Sequence, residues 1–111
     1  NSEIKKIEID KNDVSSHYGN FKVFCDSKDF RSFPIEIINF NNYEKNIILA
    51  INKFIKKSKN VLDIGANIGF STLKFKEINN NLNILAFEPQ ASMYKLMVKN
   101  IRTNNIKNVK I

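Results

Sequence analysis

Two acids and a glycine-bearing turn carry the chemistry open to this sequence. In Val61-Leu62-Asp63-Ile64-Gly65-Ala66-Asn67-Ile68-Gly69-Phe70-Ser71, apolar residues and Asp63 lead into the turn, and a helical pattern follows at once. A strand feeding a tight turn feeding a helix N-terminus is where α/β sheets hold nucleotide-like ligands, because main-chain N–H groups and the helix dipole converge there. Downstream, Ile84-Leu85-Ala86-Phe87-Glu88-Pro89 is a short apolar strand ending in an acid. Glu88 follows Gly69 by 19 residues, close to the ~20-residue offset that places an acid on ribose hydroxyls in such folds.

Residue types within the turn narrow the ligand. Gly65 lets the chain bend sharply at the strand end and lets a ligand approach main chain with no Cβ in the way. Gly69 opens the next helix, where a small residue permits close packing and the first N–H groups face a carboxylate or an ordered water. Asp63 can tie the turn's amides or face an ammonium group. A dinucleotide fingerprint needs glycine at 65, 67 and 70, so that a pyrophosphate rests on the helix amides. The chain has Gly65, Asn67 and Phe70 there, which disfavours a nicotinamide-type oxidoreductase. The pattern present, G-x-N-x-G, is one residue tighter and suits a ligand without pyrophosphate, an adenosine carrying an amino-acid tail.

With Ala86-Phe87-Glu88-Pro89 and then Leu96, Asn100 and Asn104, the run Asp63–Ser71 resembles the FkbM-type family of class I S-adenosylmethionine-dependent methyltransferases. The matching stretch runs from about Val61 to Ile111, a little under half of the chain. The resemblance implies a Rossmann-like sheet and O-methylation of a small-molecule or sugar-type acceptor. In that family asparagine replaces the middle glycine of the commoner G-x-G-x-G, so Asn67 is no departure. By position, Asp63, Gly65, Ala66, Asn67 and Gly69 would line the methionine end of S-adenosyl-L-methionine, Glu88 would accept both ribose hydroxyls, and Pro89 and Gln90 would border the adenine. The family's sheet has seven strands and this sequence reaches the third, so the chain reads as a cofactor-binding N-terminal half, inactive alone. No residue is identified as the catalytic base, for which His17 and Tyr18 are the candidates.

The elements that must position these groups follow from periodicity. Ile47, Ile48, Ile51, Phe54 and Ile55 recur on one face of a helix over about 43–57, an expected core stripe, and Asn41 with Glu44 resembles a capping pair. Strand 60–64, turn 65–69, helix from about 69 to 78, strand 83–87, helix from about 92 to 103 and a strand at 109–111 then alternate. The second of these helices turns Met93, Leu96, Met97 and Ile101 inward. This order predicts one half of a doubly wound parallel sheet. Before it, residues 4–10 and 21–26 alternate as half-buried strands do, Ser16-His17-Tyr18-Gly19-Asn20 reads as a turn, and Phe33–Ile38 as an extended edge piece because Pro34 cannot donate to a ladder. The expected division is therefore an antiparallel β segment over 1–42 and the cofactor-binding unit over 43–111.

Composition sets the remaining bounds. The 111 residues, 42 % of them hydrophobic, allow one modest core. No apolar run reaches the roughly 18 residues of a membrane span. The start, Asn1-Ser2-Glu3-Ile4-Lys5-Lys6, lacks both an initiator methionine and a signal-like apolar stretch, so the chain is expected to be a piece of a longer protein. One cysteine, Cys25, and one histidine, His17, make neither an internal disulfide nor a metal-ligand set; a reduced, cytoplasmic setting fits. The net charge of +7 comes from scattered lysines, with one cluster, Lys56-Lys57-Ser58-Lys59, at a helix end where cations suit the dipole. Only Arg31 and Arg102 are available for bidentate base reading, so nucleic-acid binding is disfavoured. The rival to a methyltransferase half is a non-catalytic Rossmann-like module that dimerises through an unpaired sheet edge.

Overall fold

The computed structural model describes residues 4–11, 13–28 and 45–111. The chain divides into two compact units, Asn1–Tyr43 and Glu44–Ile111. The expected extended piece Phe33–Ile38 and the capping pair Asn41 and Glu44 lie outside the described residues.

In the first unit, β1 (Ile4–Asp10), β2 (Asp13–Tyr18) and β3 (Phe21–Cys25) form an antiparallel sheet in the order β1-β2-β3. This corrects the reading of residues 16–20 as a turn. Ser16, His17 and Tyr18 belong to β2, and the hairpin bends at Gly19, whose φ of 57° is the left-handed conformation glycine adopts at little cost. The strand was hidden because Asp13, Ser15, Ser16 and His17 give it no apolar alternation. It is the middle strand, so pairing on both edges buries Ser15 and Ser16 despite their hydroxyls. Lys6, Glu8, His17 and Lys22 share one sheet face, and Glu8 accepts from Lys6 Nζ (2.8 Å) and Lys22 Nζ (2.5 Å). Those two ammonium groups push the Glu8 carboxyl down to about 2.

The second unit is α/β. Helix α1 (Lys45–Lys57) precedes β4 (Asn60–Ile64), α2 (Phe70–Ile78), β5 (Asn83–Phe87), α3 (Ala91–Thr103) and β6 (Val109–Lys110). The sheet is parallel, in the order β4-β5-β6, with Asp63 opposite Ala86 and Ile64 opposite Phe87. A parallel pair cannot be closed by a hairpin, so each strand returns through a helix. Each helix follows its strand after a short connection, and that puts the turn after β4 and the acid after β5 at the same, C-terminal end of the sheet.

Burial alternates along β5. Ile84 and Ala86 are buried, whereas Leu85 and Phe87 are exposed along with Leu62 and Ile64 of β4. One face of the sheet thus holds the core, with Leu73, Leu82 and Met97 fully enclosed, each such side chain contributing about 1.5–3 kcal/mol. As expected, α3 buries Met93, Met97 and Ile101, with Leu96 half-buried, and it also buries Asn100. In α1 the anticipated stripe is only partly core: Ile48 and Ile55 are buried, while Ile47 and Phe54 are exposed.

Asparagines punctuate this unit. Asn79 Nδ2 donates to the carbonyls of Ile55 (3.1 Å) and Ser58 (3.0 Å), tying the end of α2 to the end of α1. After α3, Asn105 takes the left-handed conformation (φ 52°), and Ile106 N–H reaches back to Ile101 O, closing the helix with a Schellman pattern. Lys76 is buried, with its Nζ donating to the carbonyls of Asn80 and Leu82; burial pushes its pKa below the usual lysine value. No helix among the described residues is long and apolar enough to cross a membrane.

Candidate functional site

The turn between β4 and α2 owes its path to three left-handed residues at alternate positions. Gly65 (φ 75°), Asn67 (φ 52°) and Gly69 (φ 83°) all sit at positive φ. Glycine has no Cβ to clash there, and asparagine is among the few other residues that tolerate the region. The G-x-N-x-G pattern is thus a backbone requirement at each of its named positions. The two glycines differ in one respect. A Cβ on Gly65 would meet nothing within 4 Å, whereas one on Gly69 would lie 3.0 Å from Met97 Cγ of α3. Gly65 leaves open space, and Gly69 permits a close helix approach.

Hydrogen bonds from the end of β5 complete the turn. The N–H groups of Gly65 and Ala66 both donate to Phe87 O at 2.9 Å. Asn67 N–H donates to Glu88 Oε2 at 2.8 Å, and Gln90 N–H donates to Glu88 Oε1 at 2.8 Å. Gly69 N–H closes onto Ala66 O at 2.7 Å. The acid therefore sits beside the turn with one main-chain donor on each oxygen. A carboxylate has about four acceptor positions, so each oxygen keeps one for an outside donor.

Asp63, half-buried at the end of β4, accepts from Ser71 Oγ (2.8 Å) and Thr72 Oγ1 (2.7 Å) on the same oxygen, Oδ2. It ties strand to helix through the first turn of α2, and no other described residue donates to Oδ1. Sequence reasoning missed Ser71 and Thr72 as its partners, although two adjacent hydroxyl residues at a helix start are a legible sign of such a link. It likewise gave no role to Asn100, whose Nδ2 donates to Ile68 O at 2.8 Å.

The eight residues singled out from sequence fall at the C-terminal ends of β4 and β5, with different exposures. Ala66 is buried, so only its main chain faces the turn. Pro89 and Gln90 are exposed at the start of α3, and Gln90 Nε2 reaches Ser92 Oγ at 3.2 Å. A shallow, open apolar depression lined by Ile64, Phe87, Glu88 and Pro89 lies beside the carboxylate. A site with apolar walls and one convergent acid suits a flat heterocycle bearing hydroxyls. His17 and Tyr18 belong to the first unit; Tyr18 is buried there, and His17 Nε2 lies 3.5 Å from Glu8 Oε1. Among the described residues no group of three or more His, Cys, Asp or Glu gathers as a metal site.

No protein-family model matches the chain, and no curated protein aligns with it significantly.

Proposed function

We propose that the second unit is the S-adenosylmethionine-binding, Rossmann-like half of an O-methyltransferase resembling the FkbM type, acting on a small-molecule or sugar-type acceptor. The carrying observation is the hydrogen bond between Asn67 N–H and Glu88, which joins the G-x-N-x-G turn and the strand-end acid at one apolar depression.

The residues fit the cofactor. Gly65 faces open space where any Cβ would intrude on a ligand. Glu88 keeps one acceptor position per oxygen, matching a pair of adjacent ribose hydroxyls. Asp63 keeps Oδ1 for the ammonium of an amino-acid tail, while the backbone of Gly65, Ala66, Asn67 and Gly69, its N–H groups bonded within the turn, would border that tail. Ile64, Phe87 and Pro89 supply apolar contact for the adenine, with Gln90 at its border. The bound cofactor's sulfonium would supply an electrophilic methyl group. The chain's contribution is to hold adenosine and amino-acid tail at fixed separation, an entropic gain. A buried, unbridged thiol at Cys25 suits a reducing, cytoplasmic setting.

Calorimetric titration with S-adenosylhomocysteine tests this reading, with NAD as the competitor class. Binding of S-adenosylhomocysteine alone, lost in Glu88→Ala, supports it. No heat at millimolar ligand from a folded chain overturns it.

A second reading has its own observation. Leu62, Ile64, Leu85 and Phe87 present exposed apolar side chains on one sheet face, and β4 pairs only with β5 among the described residues. An unpaired strand edge is a template for pairing with another chain, so a non-catalytic module that dimerises through the free edge of β4 is the alternative. Light scattering distinguishes the two: a concentration-dependent dimer that Ile64→Lys dissolves favours the module.

A further inference from the structure

We infer that Asn100 is the positioning residue of the turn, setting the peptide plane on which the amino-acid end of the ligand depends. The inference rests on the cofactor reading above but concerns a residue on a different element, 32 positions from its partner.

Asn100 is fully buried on α3, a place where an amide side chain is costly unless it is hydrogen-bonded. Its Nδ2 donates to Ile68 O at 2.8 Å. The other end of that peptide unit, Gly69 N–H, donates to Ala66 O at 2.7 Å. Both polar ends of the 68–69 peptide are thus fixed, one by α3 and one within the turn. Met97, one helical turn before Asn100, packs against Gly69 from the same helix. The carbonyl of Asn100 accepts the side-chain amide of Asn104 at 2.8 Å, securing the last turn of α3.

The consequence is directional. Rotation of the 68–69 peptide would change φ at Gly69 and ψ at Ile68 and so re-aim the N–H groups at the start of α2. Glu88 lies on the loop between β5 and α3, whereas Asn100 lies within α3, so the acid and the group that fixes the turn come from consecutive stretches of the chain. Asn100 touches no ligand in this scheme; it acts through Ile68.

The experiment uses the full chain, isotopically labelled, as wild type and as Asn100→Asp, which keeps the shape but replaces the donor by an acceptor. Asn100→Ser serves if the aspartate variant does not fold. Main-chain amide resonances of residues 65–73 are recorded without ligand, and S-adenosylhomocysteine and adenosine are then titrated separately. Positioning predicts resonance changes concentrated at residues 66–70 and a loss of about tenfold in affinity for S-adenosylhomocysteine, the scale of one buried hydrogen bond. Affinity for adenosine should fall less than about threefold on the same scale. Unchanged turn resonances overturn the inference, as does equal weakening of both ligands, which marks a general loss of structure. If the wild type binds neither ligand, the cofactor reading falls and the ligand-directed role with it. The unliganded resonances then separate that outcome from a failure of the tether itself.

Discussion

Glu88 accepts the main-chain N–H of Asn67 at 2.8 Å across 21 residues of sequence. Its other oxygen accepts Gln90 N–H at the same distance. One carboxylate therefore stitches the turn after β4 to the loop after β5. A charged acceptor for main-chain amides gives stronger bonds than a neutral one. Glu88→Gln keeps one acceptor oxygen and should retain the fold with weakened ligand binding. Glu88→Ala should also speed amide exchange at Asn67. Calorimetry and hydrogen exchange read the two effects separately.

The two glycines of the turn should respond differently to alanine. Both substitutions place a Cβ at positive φ, costing about 1–2 kcal/mol. Gly69→Ala adds a 3.0 Å contact with Met97 Cγ, so it should lower the melting temperature further than Gly65→Ala. Gly65→Ala points its methyl group into open space and should cost proportionally more in S-adenosylhomocysteine affinity. Paired thermal melts and titrations check the ordering.

Removing Asp63 strands the hydroxyl of Thr72, which is fully buried. Asp63→Ala should destabilise the unit by about 1–3 kcal/mol, the cost of an unsatisfied buried polar group. Adding Thr72→Val should recover part of that loss, because the orphaned hydroxyl is gone. A double-mutant cycle by urea denaturation measures the coupling, and additive effects would refute the pairing.

Burial first, and then the neighbouring Asp26, push the Cys25 thiol up to about 12. At pH 8 it should react slowly with a disulfide reagent in the folded chain and quickly in urea. Between pH 9 and 12 the unfolded chain has lost the proton that the folded chain keeps, so stability falls as pH rises through that window. Cys25→Ala should lack this component, and the stability difference between the two proteins should shift in the variant's favour across that range.

Local signals along the chain suffice for the parallel half of this protein: strand 60–64, the turn, the helix after it, strand 83–87 and α3. Apolar periodicity sets the strands and helices, and glycine and asparagine mark positive φ. Even the alternation of Gly65, Asn67 and Gly69 is a property of single residues, and the offset of Glu88 is a count along the chain. What lies across from each residue follows only from packing. Strand β2 exists because β1 and β3 pair with both of its edges, a cooperative gain that its own polar residues do not announce. Lys76 is buried because the carbonyls of Asn80 and Leu82 happen to converge on its ammonium group. Ile47 and Phe54 share a helical stripe with Ile48 and Ile55 but remain exposed, since burial depends on which neighbours arrive. Asn100 finds Ile68 only after two strand–helix crossovers have stacked α3 beside the turn. Local conformation is encoded residue by residue, whereas hydrogen bonds and burial at long separation are encoded only in the packing that brings their partners together.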